Sequence, residues 1–147
     1  MEEKNHNKLV EAIIYNPKRG VLLQKKTLDY IPFPGVWTFF GGHVEEGENR
    51  ENALRREIKE ETSINIKNFK LFTYREDVIP PTNYLIKRNI YEIIVDWKPS
   101  DIRLNEGAGF AYFDPSEFLK IKIDSLCLKV LEQWEKEKYL FNNLKNE

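Results

Sequence analysis

The chain has 147 residues, 41% of them hydrophobic and 13% aromatic, which suits one domain over residues 1–147 with a packed core and excludes global disorder. Charged residues make up 32%, yet 23 basic and 24 acidic side chains nearly cancel to a net charge of −1. That balance excludes the electrostatic footprint of a protein that grips long nucleic acid, while a small phosphate pocket needs only a few local charges.

The opening MEEKNHNK is polar and reads without an apolar leader. Leu9 to Tyr15 is rich in β-formers and predicts a strand. Asn16-Pro17-Lys18-Arg19-Gly20 is a strong turn, and Val21 to Gln24 resumes as a strand, so the two form a hairpin pattern. Thr27 to Gly35 holds Pro32 and Pro34 and is read as a loop. Trp37 to Phe40 is a short apolar strand that runs into Gly41-Gly42. Asn49 to Thr62 lacks Gly and Pro, is dense in Glu, Arg, Lys, Ala and Leu, and predicts a helix. Phe69 to Tyr74 and Asn89 to Trp97 read as strands, with Pro80-Pro81 breaking the chain between them. Phe110 to Phe113 is a short strand after the loop Asn105 to Gly109, and Asp114-Pro115-Ser116-Glu117 opens a helical turn. Asp124 or Ser125 caps a terminal helix with Leu126, Val130, Leu131 and Trp134 on one stripe. Cys127 is the one cysteine, so an internal disulfide is excluded and the residue reads as core. No stretch approaches the roughly 18–20 apolar residues that span a bilayer, and a soluble, cytoplasmic protein is expected. The elements add up to an α/β sandwich with a mixed sheet, a central helix and a C-terminal helix.

The informative segment is Gly41 to Ile64, GGHVEEGENRENALRREIKEETSI. With Glu57 as the origin of a helical wheel, Glu60 falls at about −60° and Glu61 at about +40°. Ala53, Leu54 and Ile58 share that arc, at about −40°, +60° and +100°. Asn52, Arg55, Lys59 and Thr62 form the opposite side and read as a solvent face. Three like charges at i, i+3 and i+4 repel one another, and partial burial worsens each. A hard divalent cation such as Mg²⁺, which takes carboxylates, water and phosphate oxygens, relieves both problems. The helix alone also fits a plain surface helix whose glutamates pair with Arg55, Arg56 and Lys59. Its setting favours the metal: Gly41-Gly42 allows close backbone approach, Gly47 permits a further turn, and the acids collected ahead of the helix, ending at Glu48, suit its dipole.

This segment resembles the Nudix box: Gly, five residues, Glu, seven residues, then Arg-Glu-apolar-X-Glu-Glu-X-Gly-apolar. Gly42, Glu48 and Arg56-Glu57-Ile58-Lys59-Glu60-Glu61-Thr62-Ser63-Ile64 match eight of its nine defined positions over 23 residues. The departure is Ser63 where the pattern has Gly. Serine takes the left-handed helix exit at a cost of about 1–2 kcal/mol, or the chain turns at Asn65 instead.

The resemblance implies a Nudix-type α/β/α sandwich around a central catalytic helix, and an enzyme of the MutT-like hydrolases. Glu57, Glu60 and Glu61 are then the metal ligands, with the Gly41 carbonyl as a further one. Arg56 holds a helix glutamate in place, with Glu48 as its partner. The family often adds an acid from a later loop, for which Glu106 is the candidate. The implied cofactor is Mg²⁺, with Mn²⁺ able to substitute, and two or more ions are expected. The reaction is attack of water on one phosphorus of a diphosphate, with Glu57 or Glu106 orienting or deprotonating the water. His43 and His6 are not expected to act, and no serine or cysteine has a nucleophile setting.

The expected substrate is a small nucleotide-like molecule, a nucleoside triphosphate or a nucleoside diphosphate joined to another group, with nucleotide sanitising as one role. Nucleotide-sugar or dinucleoside-polyphosphate hydrolysis is the second reading, and a non-catalytic nucleotide sensor the third. Tyr30, Phe33, Trp37, Phe39, Tyr74 and Tyr84 are pocket candidates, and Arg75, Lys87 and Arg88 phosphate candidates. The family also implies a homodimer, although no sequence feature identifies an interface. No long nucleic acid and no membrane is expected as a partner.

Overall fold

A computed structural model describes residues 7–31, 33–79, 83–105 and 107–145. Strand β1 (Lys8–Asn16) runs through the middle of the sheet. A turn pinned by the Asn16 carboxamide, which accepts from Lys18 N–H at 2.9 Å, leads into β2 (Gly20–Lys25), antiparallel to the end of β1. The predicted single strand over Trp37 to Phe40 is instead two. β3 (Trp37–Thr38) pairs with β2, and β4 (Phe40–His43) pairs with the first half of β1. The break falls at Phe39, whose side chain joins the core on the opposite face from that of Phe40.

Helix α1 (Arg50–Thr62) follows, and then the long antiparallel pair β5 (Lys70–Ile79) and β6 (Tyr84–Ile94). β5 runs on to Ile79 and β6 starts already at Tyr84, both longer at that end than the sequence predicts, and β6 ends before Trp97. The charged residues Arg75, Glu76, Asp77, Lys87 and Arg88 hide the strand alternation there. β6 lies parallel to β1 from Lys8↔Lys87 to Tyr15↔Ile94. β7 (Gly109–Phe113) adds to the other edge of β2. Among the described residues seven strands make one mixed sheet. Single 3₁₀ turns occur at Pro99–Asp101 and Pro115–Glu117, and α2 (Ser125–Lys145) closes the chain.

Strand alternation divides the core in two. Val10, Ala12 and Ile14 of β1 pack with Ala53, Leu54 and Ile58 of α1. Ile13 of β1 and Val21 and Leu23 of β2 pack with Cys127, Val130, Leu131 and Trp134 of α2. The result is the α/β/α sandwich. On α2, Cys127 rather than Leu126 completes the buried stripe, and the Asp124 carboxylate is its cap, accepting from Leu126 N–H at 2.8 Å. Among the described residues no helix is long and apolar enough to cross a membrane.

Candidate functional site

Helix α1 starts at Asn49, whose carboxamide oxygen accepts from Asn52 N–H at 2.8 Å. It ends at Ser63, which takes the left-handed conformation at φ 68° and donates its N–H to Lys59 O at 2.9 Å. The chain thus turns at Ser63, and not at Asn65. Part of the steric cost is recovered locally: Ser63 Oγ accepts from Asn105 Nδ2 at 3.1 Å and donates to Arg103 O at 3.3 Å. The segment 103–105 also caps the last turn of α1, with Arg103 N–H on Thr62 O and Asn105 N–H on Glu61 O. Helix carbonyls left without intrahelical donors are thereby satisfied.

That covering strand of chain corrects the wheel. Thr62, assigned to the solvent face, is fully buried, and its hydroxyl donates to Ile58 O at 2.7 Å. The three glutamates are graded. Glu61 is 2% exposed, Glu57 is mostly buried with a side chain 17% exposed, and Glu60 is open to solvent.

Glu61 reaches across to the sheet. Its Oε1 accepts from Gly41 N–H at 2.8 Å, and its Oε2 accepts from Gln24 Nε2 at 2.8 Å. The same Gln24 nitrogen also donates to Phe39 O at 3.1 Å. Burial pushes the Glu61 carboxyl up to about 7, against the opposing pull of those donors; the charge of Glu57 adds to the rise. Gly41 must be glycine here. Its φ is +148°, and a Cβ would overlap the Val10 carbonyl. Gln24 was not singled out in the sequence, although a lone carboxamide at the end of the apolar run Val21-Leu22-Leu23 is a legible signal.

Glu57 and Glu60 turn instead to Arg56. The guanidinium forks onto Glu48, with Nε to Oε2 at 2.8 Å and Nη2 to Oε1 at 3.0 Å. Its Nη1 donates to Glu57 at 2.9 Å and to Glu60 at 3.3 Å, and Nη2 donates to the His43 carbonyl at 2.9 Å. The hydrogen bond from Arg56 is the main reason the Glu48 carboxyl lies below its ordinary range. Among the described residues no three His, Cys, Asp or Glu side chains form a closed metal-gripping set. The chemistry of the donors nevertheless fits a hard cation. They are all oxygens, one is a buried carboxylate that resists ionising, and Gln24 Oε1 beside it is buried without a hydrogen-bond partner among the described residues. Glu106 lies outside the described residues.

The NUDIX domain family model matches residues 6–137. The chain belongs to the Nudix hydrolase family. The NAD-capped RNA hydrolase NudC of Haemophilus influenzae (strain PittEE) is 33% identical over 97 residues, which cover 65% of this chain and 34% of that protein. The nucleoside triphosphatase NudI of Escherichia fergusonii is 35% identical over 119 residues, covering 75% of this chain and 84% of NudI. The chain thus spans only about a third of the NudC that it matches. Among solved structures, a MutT protein from Methanosarcina mazei Go1 superposes with a TM-score of 0.77 at 20% identity, over 94% of this chain and 99% of that one. That likeness is one of fold.

Around the Nudix box, the aromatic candidates separate. Phe39 is 3% exposed and belongs to the core. Trp37 packs edge-on against Phe113, and Phe33 is half-buried in its loop. Tyr74 and Tyr84 stand exposed on the β5–β6 pair. Tyr30 remains half-exposed, with Lys26 over its ring at 4.6 Å. Burial raises the Tyr30 phenol, and nearby acids, Asp124 foremost, add to the rise. Arg88 is corrected outright. It is 1% exposed, held by Glu11 at 2.6 Å and Asp77 at 2.8 Å, and has no reach to a surface phosphate. Arg75 pairs with Asp77 at 3.2 Å.

Proposed function

We propose that the protein hydrolyses a diphosphate linkage in a small nucleoside diphosphate derivative, with Mg²⁺ or Mn²⁺ held by Glu57, Glu60, Glu61 and the Gly41 carbonyl. Support comes from Glu61. A buried carboxylate beside Glu57, fixed by the Gly41 amide and Gln24, is costly in a helix unless a cation shares it. Bound Mg²⁺ supplies positive charge for the phosphate oxygens and activates the attacking water.

The chain's own residues do the rest. Gln24 and Gly41 hold Glu61 in one rotamer. Arg56, itself anchored on Glu48, positions Glu57 and Glu60. Glu57 or the loop acid Glu106 takes the proton from the attacking water as it adds to phosphorus, and the other phosphate leaves with its organic group. Tyr30, half-exposed beneath Lys26, is our candidate to stack a base. The full set of carboxylates favours this reading over a nucleotide sensor, which needs no such cluster.

Among substrates we favour nucleoside triphosphates and nucleoside diphosphates joined to another group. NudI and NudC, by name, act on nucleoside triphosphates and NAD-capped RNA. The near-neutral chain argues for the small molecule. A panel of nucleoside triphosphates, nucleotide sugars, dinucleoside polyphosphates and oxidised nucleotides, with Mg²⁺ and with chelator, tests the proposal. Turnover of at least one class is expected with Mg²⁺ and none with chelator. Glu57→Gln is expected to lose about 100-fold or more while remaining folded. Chelator-resistant turnover, or a folded Glu57→Gln variant with wild-type rates, would overturn it.

A further inference from the structure

At the other end of β1 from the Glu57–Glu61 site lies an open groove of about 870 Å³. Its walls are the β1–β2 turn, the loop between α1 and β5, and the chain leaving β6. The volume is within the roughly 300–1,000 Å³ of small-molecule sites. The two sites are offset along β1. Gly41 pairs with Glu11, and the groove begins at Asn16, five residues further along the strand. At about 3.3 Å per residue this is roughly 16 Å.

Four cations line the groove, Lys18 and Arg19 from the turn, Lys67 from the loop and Lys98 beyond β6, against one acid, Asp96. Among the described residues none of the four has an ion-pair partner. Arg56, Arg75 and Arg88, in contrast, each grip a carboxylate. Like charges gathered round a concave wall reinforce one another's field inside it. In a chain of net charge −1, this is a local excess that an anion would relieve.

The wall between the cations carries one aromatic residue, Trp97, partly packed against the core and with its backbone held at several points. Trp97 lines the groove half-buried. Its carbonyl accepts from Asn16 Nδ2 at 3.1 Å and from the Tyr112 hydroxyl at 2.8 Å. Val95 N–H continues the β1 pairing onto Tyr15 O at 2.9 Å. A free phosphate would use only a fraction of this volume and none of the indole. A nucleotide uses both, since its base can stack on an aromatic ring while its phosphate meets the cations.

We propose that the groove is a second site, for a nucleoside phosphate, with the phosphate among Lys18, Arg19, Lys67 and Lys98 and the base against Trp97. None of its residues belongs to the Nudix box, so the site stands or falls independently of the proposed hydrolysis.

The test is an amide and indole NMR titration of the full chain in chelator with AMP, adenosine and inorganic phosphate. AMP is expected to give saturating shifts at the Trp97 indole N–H and at the Lys67, Asn68 and Lys98 amides. Adenosine and phosphate are expected to bind at least tenfold more weakly. The double variant Lys18→Glu, Lys67→Glu is expected to keep the wild-type melting temperature and to bind AMP in the groove at least tenfold more weakly. Lys98→Glu gives the same readout from the other wall. Shifts confined to Gly41–Glu61, phosphate binding as tight as AMP, or unchanged AMP binding in the charge-reversed variants would each overturn the proposal.

Discussion

The Glu57 carboxylate lies against the Cα of Gly42, so that a Cβ built there would come within 2.5 Å of both its oxygens. Gly42 is therefore a seat for the glutamate as well as a strand residue. Gly42→Ala is expected to push Glu57 aside with little change in fold, because the overlap is with the end of a flexible side chain. A displacement of about 1 Å costs on the order of 100-fold in rate. Steady-state kinetics beside a thermal melt checks this: kcat should fall steeply while the melting temperature moves little.

Arg56 makes contacts that an ammonium cannot reproduce. It is forked onto Glu48 and simultaneously bonded to Glu57, Glu60 and the His43 carbonyl. Arg56→Lys keeps the charge and loses the planar fork. If Arg56 acts through Glu57 and Glu60, as proposed, kcat falls about tenfold or more with KM nearly unchanged. A change in KM alone would place Arg56 on the substrate instead.

Ser63 holds φ 68° where its family pattern has glycine. Ser63→Gly removes a steric cost of about 1–2 kcal/mol and gives up two exposed hydrogen bonds to Asn105 and Arg103. A net gain of roughly 0.5–1 kcal/mol is expected in urea denaturation, with turnover unchanged. A loss of stability would show that the Ser63 hydroxyl matters more than its backbone.

These sites show how far the sequence could be read. The period of α1 turns Glu57 and Glu61 toward the protein with Ala53, Leu54 and Ile58, because those contacts follow from helical geometry, but Glu60, on the edge of the same arc, stays exposed. It failed at Thr62, because the cover comes from residues 103–105, some 40 positions away, and no local pattern announces it. Arg88 read as a surface cation for the same reason: its partner Glu11 is 77 residues distant. The β5–β6 pair was legible in existence and not in extent, since charges that pair across the sheet look in sequence like polar ends of strands. Gln24 was missed although it interrupts an apolar strand, the kind of buried polar residue that must find partners.

The Arg88 network predicts an acid-sensitive fold. Burial pushes the Asp77 carboxyl up, but the guanidinium groups of Arg75 and Arg88 pull it further down, below its ordinary value of 3.8. A lowered folded value means that Asp77 contributes stability fully present above the ordinary carboxylate value and lost as pH falls through the lower, folded one. Asp77→Asn is expected to cost about 1–3 kcal/mol at neutral pH and to flatten the acid limb of the stability curve. Urea denaturation from neutral to strongly acidic pH checks both; an acid limb identical to wild type would remove Asp77 from the account.

Mn²⁺ binding followed by electron paramagnetic resonance reports most directly on whether the α1 carboxylates gather a cation. Saturable binding to the wild-type chain is expected, weakened at least tenfold in Glu61→Gln and in Glu57→Gln, with both variants folded. Equal Mn²⁺ affinity in the wild type and in both variants would contradict the account.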